Sequence, residues 1–411
     1  MNAEHGYVHV PFCVRRCTYC DFSIAVRRRL PVAEYLDALA AELGRAGRPA
    51  SLKTLYLGGG TPSLLGGDGI ARIAALLGGR EVLEEFTVEA NPDDVTAEAA
   101  RAWVGAGVTR LSIGAQSFDA GVLAWMHRTH DAPAISRAVS TARAAGLRDI
   151  SLDLIFSLPE SLGRDFARDL AATIACAPDH VSLYGLTIEP GTALARQVER
   201  GACSAAPEGR YEAEYLAAHA TLEAAGYRFY EVSNAARPGK EAVHNRAYWR
   251  LAPYLGFGPS AHSYDGVSRW WNEAAYARWR RLLAQRESPV AGREILSEPQ
   301  RRLEQRYLGL RTSEGIAVTE ELKPAIEQWV RMGWAVVEYR DGMVSGRDGM
   351  VSGRDGEAGA IARGRAPCVP SDRPSASAPA DPSPASTSAS PAIVRLTPQG
   401  WLRLDALVAS L

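Results

Sequence analysis

The fold of this chain is decided near its start, in residues 7–22, which read YVHVPFCVRRCTYCDF. Residues 7–10 are apolar or β-forming and lead into Pro11, so they predict a strand whose carboxyl end continues into a loop. Cys13, Cys17 and Cys20 stand on that loop with the spacing Cys-x-x-x-Cys-x-x-Cys. A loop can turn three such sulfurs toward one inorganic centre, which a straight strand with alternating faces does not do with this spacing.

The three thiols favour an iron–sulfur cluster over two alternatives. Such clusters usually take four thiolates, so a [4Fe–4S] cluster held by three would keep one iron open to a small ligand. A structural zinc with His9 or a distant fourth ligand is one alternative, although zinc sites usually contain Cys-x-x-Cys pairs. A disulfide is the other, and it would leave an odd thiol and need an oxidising compartment. We therefore interpret the loop as a reaction centre.

This triplet, with Tyr19 directly before the last cysteine, resembles the radical S-adenosylmethionine (SAM) superfamily. The flanking segments HVPFC and YCDF are similar to the group that contains oxygen-independent coproporphyrinogen III oxidase and a haem chaperone branch. The resemblance covers nearly the whole chain apart from residues 341–392. It implies that Cys13, Cys17 and Cys20 hold a [4Fe–4S] cluster whose open iron chelates the amino and carboxylate groups of SAM.

Length, charge and hydropathy exclude several classes of protein. The chain has 411 residues, 46% of them hydrophobic, which suffices for a large core and a smaller second unit. The net charge of −1 provides no global basic field for nucleic acid or an anionic membrane. Residues 1–6 do not resemble a signal peptide, and no run of 18 apolar residues follows. We expect a cytoplasmic protein without a membrane anchor, which could contact a membrane only peripherally.

From residue 7 to residue 184, β-rich runs alternate with segments of helical period. The strands are predicted at residues 7–10, 54–57, 86–90, 110–113, 151–155 and 181–184. Such alternation predicts an α/β fold with parallel strands and outer helices. Glu89, Gln116 and Asp153 stand at or just past strand ends, where barrel active sites are built, so a barrel is favoured over an open sheet. The resemblance implies a partial (β/α)6 barrel.

Residues near these strand ends form the candidate SAM site. The segment GGGTPS, residues 58–63, follows the second strand, and its glycines allow the backbone to approach a ligand and point amides at it. The resemblance implies a SAM site made of Tyr7, Tyr19, Gly59, Gly60, Thr61, Glu89, Gln116, Arg128 and Asp153. Within this set the glycine turn holds the amino group and Arg128 the carboxylate. Carboxylate and amide acceptors suit the ribose hydroxyls.

A second candidate site is the hexamer HNRAYW, residues 244–249. Imidazole is a common axial ligand of haem iron, and aromatic rings supply apolar walls for such a ligand. A solvent-facing aromatic edge would have the same sequence pattern. After YEVSN, the HNxxYW pattern resembles the haem chaperone branch, which implies a haem site at His244, Asn245, Tyr248 and Trp249. The later segment GFGPSAHS, residues 256–263, is typical of the whole group, and we assign no role to its His262.

The chain divides into three predicted parts. Residues 1–235 form the radical SAM barrel with its cluster, and residues 236–298 a family-specific extension with HNxxYW. Residues 299–411 form a small C-terminal helical, winged-helix-like module, interrupted by a disordered insertion at residues 341–392. The insertion starts with two copies of DGMVSGR and continues with Ala, Ser, Pro and Gly, a composition that cannot offset the entropy of ordering.

Three functions then compete: coproporphyrinogen III oxidase, haem chaperone, and a radical SAM enzyme acting on haem. Oxidases of the group carry another cysteine where this chain has Phe22, and they have an N-terminal extension that is missing before Cys13. We therefore predict a chaperone that binds haem and a SAM-ligated cluster and delivers haem to recipient proteins, respiratory ones among them. We assign no catalytic residue and expect no oxidase activity, although the SAM site leaves an enzymatic role open. The resemblance also suggests a homodimer.

Overall fold

The computed structural model describes residues 3–47, 49, 51–78, 83–339, 344–345, 351–352 and 392–411. Its first part alternates strands and helices. The strands are β1 His5–Val10, β2 Phe12–Cys13, β3 Ala25–Val26, β4 Thr54–Gly59, β5 Glu85–Ala90, β6 Arg110–Gln116, β7 Asp149–Phe156 and β8 His180–Gly185. The helices are α1 Val32–Ala46, α2 Gly66–Leu76, α3 Ala97–Gly105, α4 Ala120–Trp125, α5 Ala132–Ala144 and α6 Phe166–Ala175.

The six longer strands, β1 and β4 to β8, lie side by side in chain order and run parallel. The predicted α/β alternation is therefore confirmed. Outward side chains such as Val8, Leu57 and Leu152 are fully buried under the helices, and each contributes about 1.5–3 kcal/mol of hydrophobic stabilisation. The inward side chains alternate with them and are largely polar, as Thr54 and Arg110 show.

The next part of the chain extends this sheet at both edges. It contains β9 Arg228–Glu231, β10 Asn234–Ala236, β11 Tyr254–Phe257, β12 His262–Tyr264, β13 Ser268–Asn272 and β14 Val290–Ile295. Its helices are α7 Ala193–Glu199, α8 Glu208–Ala224, α9 Val243–Trp249 and α10 Tyr276–Ala284. The strand order in the described residues is β14-β13-β12-β11-β1-β4-β5-β6-β7-β8-β10-β9, so the edge strands β14 and β9 stay unpaired with each other and the barrel is partial.

The C-terminal part is a small sheet flanked by helices. Its elements are α11 Glu298–Arg311, β15 Ile316–Ala317, α12 Lys323–Arg331, β16 Ala335–Glu338, β17 Val344–Ser345, β18 Val351–Ser352, β19 Ile393–Leu396, α13 Pro398–Trp401 and α14 Leu404–Ala409. The antiparallel order is β15-β19-β16-β17-β18. Across the described ranges, we find no helix that combines the length and the apolar character needed to cross a bilayer.

Two short strands lie inside the predicted insertion at residues 341–392, whose disorder stays a prediction. The Val-Ser pair of each DGMVSGR copy forms a short strand, β17 beside β16 and β18 beside β17. Valine is β-branched and favours extended backbone, so the two copies can add to an existing sheet edge although they are too short to fold alone. The remainder of the predicted insertion, except Ala392, lies outside the described residues.

Candidate functional site

A cavity of about 430 Å³ opens at the carboxyl ends of the parallel strands. Many of the predicted site residues share its wall, namely Cys13, Cys17, Tyr19, Cys20, Gly59, Gly60, Thr61, Glu89, Gln116 and Arg128. The structure therefore brings the three cysteines and most of the predicted SAM residues to one place. This is the end of the barrel at which parallel α/β folds build their sites.

The cysteine loop is held close to the GGGTPS turn. The Cys13 thiol lies 3.4 Å from the Thr61 hydroxyl, and the Cys17 sulfur accepts a hydrogen bond from Arg128 Nη1 at 3.6 Å. Burial raises the pKa of the Cys13 thiol to about 11, so it loses its proton on binding iron. Within the described ranges no three His, Cys, Asp or Glu side chains converge tightly enough for a single ion. Three sulfurs facing one cavity fit a multi-iron cluster better than one zinc.

The glycine turn needs glycine for a reason that the sequence did not show. Gly59 has φ +113°, and a Cβ there would lie 2.7 Å from the His9 ring. Its amide donates to Glu89 Oε2 at 3.1 Å, and the Gly60 amide donates to the Val10 carbonyl at 2.8 Å. The prediction that these amides point at a ligand is therefore wrong. An ammonium group needs acceptors, which the carbonyls of this turn and the Thr61 hydroxyl supply.

Arg128 lies just past α4 and points across the cavity floor. Its Nη2 donates to Asn91 Oδ1 at 2.6 Å and to the Gly114 carbonyl at 2.8 Å. Its buried Nε has no partner among the described residues, and a guanidinium with a free N–H beside the cysteine loop suits a carboxylate ligand. We did not predict Asn91 as a site residue, although its place directly after β5 is the signal that identified Glu89.

Glu89 and Gln116 occupy the ends of β5 and β6. Glu89 accepts a hydrogen bond from the Tyr56 hydroxyl at 2.8 Å, and burial raises the pKa of its carboxyl to about 7. Gln116 has φ +66°, where β6 departs from regular pairing with β7. A left-handed backbone costs energy in a residue other than glycine, and such strain concentrates at functional sites. Both side chains line the cavity, as a pair of ribose ligands would.

Two predicted SAM residues, Asp153 and Tyr7, are absent from the cavity wall in the described structure. Asp153 accepts hydrogen bonds from Ser112 at 3.1 Å and Ser151 at 3.3 Å, and burial raises the pKa of its carboxyl. Tyr7 stacks on Tyr56 with ring centroids 6.0 Å apart. Each contacts a residue tied to the cavity wall: Asp153 accepts from Ser112, which lines the cavity, and Tyr7 stacks on Tyr56, which donates to the cavity residue Glu89.

The HNxxYW segment lies at the opposite end of the barrel. His244, on α9, is fully buried, with Nδ1 at 2.7 Å from the hydroxyl of Thr54, the first residue of β4. Its Nε2 lies 2.8 Å from the Tyr248 hydroxyl, and burial lowers the pKa of the ring to about 3. Glu85, the first residue of β5, accepts the backbone amides of Val243 and His244 at 2.8 and 3.1 Å. Helix α9 therefore closes the amino end of the barrel.

The four predicted haem residues do not face one cavity in the described part of the chain. His244 and Tyr248 point into the barrel, whereas the Trp249 ring lies 4.3 Å from the Arg311 guanidinium on α11. Asn245 is half-buried. Their assignment to haem stays a prediction, and it requires one ring nitrogen of His244 to give up its present partner.

Known proteins share much of this sequence. Residues 7–171 match the model of the radical SAM superfamily. The heme chaperone HemW of Mycobacterium tuberculosis H37Rv is 40% identical over 319 residues, which cover 75% of this chain and 82% of that protein. The heme chaperone HemW of Bacillus subtilis is 34% identical over 322 residues, covering 76% of this chain and 85% of that protein.

A solved structure shares the fold. Coproporphyrinogen III oxidase HemN from Escherichia coli, described as a radical SAM enzyme, superimposes with a TM-score of 0.68 at 23% sequence identity. The match covers 80% of this chain and 79% of that one. At this identity the likeness shows the fold alone, and it confirms the predicted radical SAM architecture.

Proposed function

This chain belongs to the family of the heme chaperone HemW within the radical SAM superfamily, and on that premise we propose that it delivers haem to recipient proteins, respiratory ones among them. Its cofactors are a [4Fe–4S] cluster, SAM and haem. One observation carries the proposal: the cysteine-lined cavity belongs to a chain that matches a heme chaperone over 82% of that protein's length.

In this proposal Cys13, Cys17 and Cys20 hold the cluster, which together with SAM supplies one-electron chemistry when bound. Arg128 holds the SAM carboxylate through its guanidinium, whose N–H groups are only partly engaged within the described residues. Glu89 and Gln116 accept the ribose hydroxyls. The Tyr19 ring packs with an apolar group that walls the site and limits access of water, Val122, Met126, Ile155 and Leu158.

The proposal also covers place and assembly. We infer that the chain works in the cytoplasm, with peripheral contact where a recipient lies in a membrane, and that a homodimer forms when the cluster is inserted. Sedimentation of the cluster-loaded and cluster-free chain tests the dimer. An unchanged sedimentation coefficient would contradict it.

The oxidase alternative finds less support at the site. Phe22, at the position where oxidases of the group carry a further cysteine, is 58% exposed on the cavity wall. We expect that coproporphyrinogen III, SAM and a reductant yield no protoporphyrinogen with this chain. Steady turnover of coproporphyrinogen III would instead show that the chain is an oxidase.

The chaperone proposal is tested by binding and transfer of haem under anaerobic conditions. The cluster-loaded chain is titrated with haem, and the haem-loaded chain is then mixed with the apo form of a respiratory cytochrome b. We expect saturable one-to-one binding, and transfer that is faster than from haem–albumin. Apomyoglobin, which takes up free haem, is the control acceptor. Unsaturable binding, or transfer to both acceptors at the rate of spontaneous release, would contradict the proposal.

A further inference from the structure

Two arginine-rich segments meet beside the cysteine loop. Arg15 and Arg16 stand between the first two cysteines, and residues 27–29 are three further arginines directly after β3. Strand β3 pairs in parallel with β2, which ends at Cys13. The Arg27 amide donates to the Cys13 carbonyl at 3.0 Å. The fold therefore places the second arginine segment against the start of the first.

These five arginines make one face of the molecule positive. All five are exposed, and within the described part of the chain none forms an ion pair with a carboxylate. Arg16 donates instead to the carbonyls of Cys20 and Ile24, at 3.3 and 3.4 Å. Asp21 is the one acidic residue among residues 11–33. This face is therefore strongly positive, although the whole chain has a net charge of −1.

Three apolar side chains are exposed among the arginines. Phe22 is 58% exposed, Val14 49% and Val26 42%. Val26 pairs with Cys13 across β2 and β3, which keeps it beside the cysteine loop. Exposed apolar side chains next to charged ones are typical of protein interfaces, which combine an apolar centre with a polar rim. We call the five arginines and these three side chains the arginine face.

The arginine face borders the mouth of the cysteine-lined cavity. Val14, Arg15 and Phe22 line that cavity and are also exposed to solvent, so they mark its mouth. The three cysteines line the same cavity. Electron transfer between two centres slows steeply as the distance between them grows. A protein that exchanges electrons with the cluster must therefore dock close to this mouth.

We propose that the arginine face docks a small acidic electron carrier of the ferredoxin type, which reduces the cluster. The reduced carrier gives one electron to the oxidised [4Fe–4S]²⁺ cluster, which becomes [4Fe–4S]⁺, and no covalent bond or proton is transferred. Opposite charges steer the encounter and fix its orientation, and such electron-transfer complexes bury little surface. The inference rests on the cluster of the proposed function, and it is independent of haem delivery.

An anionic membrane is another surface that arginines with exposed apolar side chains can meet. The position of the arginine face favours the carrier. A bilayer that covered Phe22 and Val14 would close the mouth of the cavity to SAM from water. A carrier that dissociates after each transfer leaves the mouth open between encounters.

The test is the rate at which a bacterial ferredoxin, reduced beforehand, reduces the cluster-loaded chain in an anaerobic stopped-flow experiment at low ionic strength. We expect the triple variant Arg27→Gln, Arg28→Gln, Arg29→Gln to lower the second-order rate constant at least tenfold and to weaken its dependence on salt. Phe22→Ser should lower the affinity for ferredoxin several-fold and keep the salt dependence, because it removes an apolar contact and no charge.

Two controls separate docking from other effects. Reduced methyl viologen, a small cationic reductant, should reduce every variant at no less than the wild-type rate. The triple variant Arg101→Gln, Arg148→Gln, Arg168→Gln removes the same charge from exposed positions elsewhere on the surface. We expect it to keep the rate with ferredoxin within about twofold of wild type. Iron content and circular dichroism confirm that each variant is loaded and folded.

Several outcomes would overturn the inference. One is an equal rate with ferredoxin for the variant at residues 27–29 and wild type, and another is equal slowing by the control variant. Slower reduction by viologen as well, with a shifted midpoint potential, would mean that the arginines tune the cluster. Loss of binding to phosphatidylserine vesicles with unchanged reduction by ferredoxin would make the face a membrane surface.

The wild type supplies the last outcome. A loaded wild type that viologen reduces and ferredoxin does not would also overturn the inference. A wild type that holds no cluster after reconstitution would instead contradict the proposed function, and iron content distinguishes the two failures.

Discussion

At the carboxyl ends of its parallel strands the barrel opens onto a cavity of about 430 Å³, whereas at the amino ends His244 and Tyr248 of α9 fill the interior. Both ends contain polar side chains that a barrel core usually excludes. At the closed end the His244 ring has a partner at each nitrogen. At the open end Arg128 keeps a free Nε and Gln116 a strained backbone. At these two ends the polar side chains differ in how completely they are paired, and not in residue type.

The largest expected effect concerns the open end. Cys17→Ala removes one of three thiolates, and we expect loss of the stoichiometric cluster because the remaining two sulfurs cannot hold it. The measurement is iron and sulfide content after anaerobic reconstitution. Cys176→Ala is the control, since Cys176 lies on the outside of the barrel after α6. A full, stable cluster in Cys17→Ala would show that the cavity is not the cluster site.

The next effect concerns the closed end. His244→Ala should lower the free energy of unfolding by about 3 kcal/mol, because it empties a buried site and leaves the Tyr248 hydroxyl without its partner. Urea denaturation of the cluster-loaded protein measures it. The control is the exposed His262→Ala, for which we expect a change below about 1 kcal/mol. Equal stability of His244→Ala and wild type would mean that the amino end is open after all.

A smaller effect tests the free guanidinium. Arg128→Ala should weaken SAM binding at least tenfold, about 1.4 kcal/mol, because it removes a charge-assisted donor for the carboxylate. Equilibrium dialysis with SAM measures it, and iron content separates a SAM effect from cluster loss. Arg137→Ala, which removes an arginine paired with Asp131 on the surface, is the control. Unchanged SAM affinity with a full cluster would leave the orphaned Nε without a role.

Local patterns allowed much of this molecule to be predicted from its sequence. The cysteines share one short loop, so their spacing alone brings them together, and each predicted strand is a run of β-forming residues long enough to cross the sheet. The surroundings of a side chain inside the barrel are harder to predict. The alternation along a strand shows which face of the sheet a side chain lies on, but not which residues of the neighbouring strands it contacts. Asp153 was expected at the cavity wall, whereas its carboxyl is engaged by the hydroxyls of Ser112 and Ser151.

The HNxxYW segment shows a second limit. Helix α9 spans only Val243–Trp249, too short for a hydrophobic period to reveal which face is buried. An aromatic hexamer therefore shows the same sequence pattern whether it closes a barrel or binds a ligand. The difference lies in Thr54 and Glu85, which are distant in the chain and meet α9 only in the fold.

The smallest expected effect is the difference in pH dependence between the open end and the closed end of the barrel. Burial raises the pKa of Glu89 from 4.5 to about 7, so its contribution to folding stability is full below pH 4.5 and is lost as the pH rises through 7. SAM binding should change in the opposite direction, because ribose hydroxyls need the ionised carboxylate as acceptor. We expect affinity about twofold weaker at pH 7 than at pH 8, as for a group half-protonated at its pKa.

The closed end should not respond in that window. Burial lowers the pKa of His244 from 6.5 to about 3, so its contribution to stability is present above pH 6.5 and is lost as the pH falls toward 3. Glu89→Gln should therefore flatten the SAM-affinity profile between pH 7 and 8 and reduce the slope of the stability profile, and His244→Phe should leave both unchanged. Comparing Glu89→Gln with wild type also cancels the contribution of Glu42, whose pKa burial raises to about 7. Parallel profiles for Glu89→Gln and wild type would mean that Glu89 does not touch SAM, and the ribose would then have to be held by Gln116 without it.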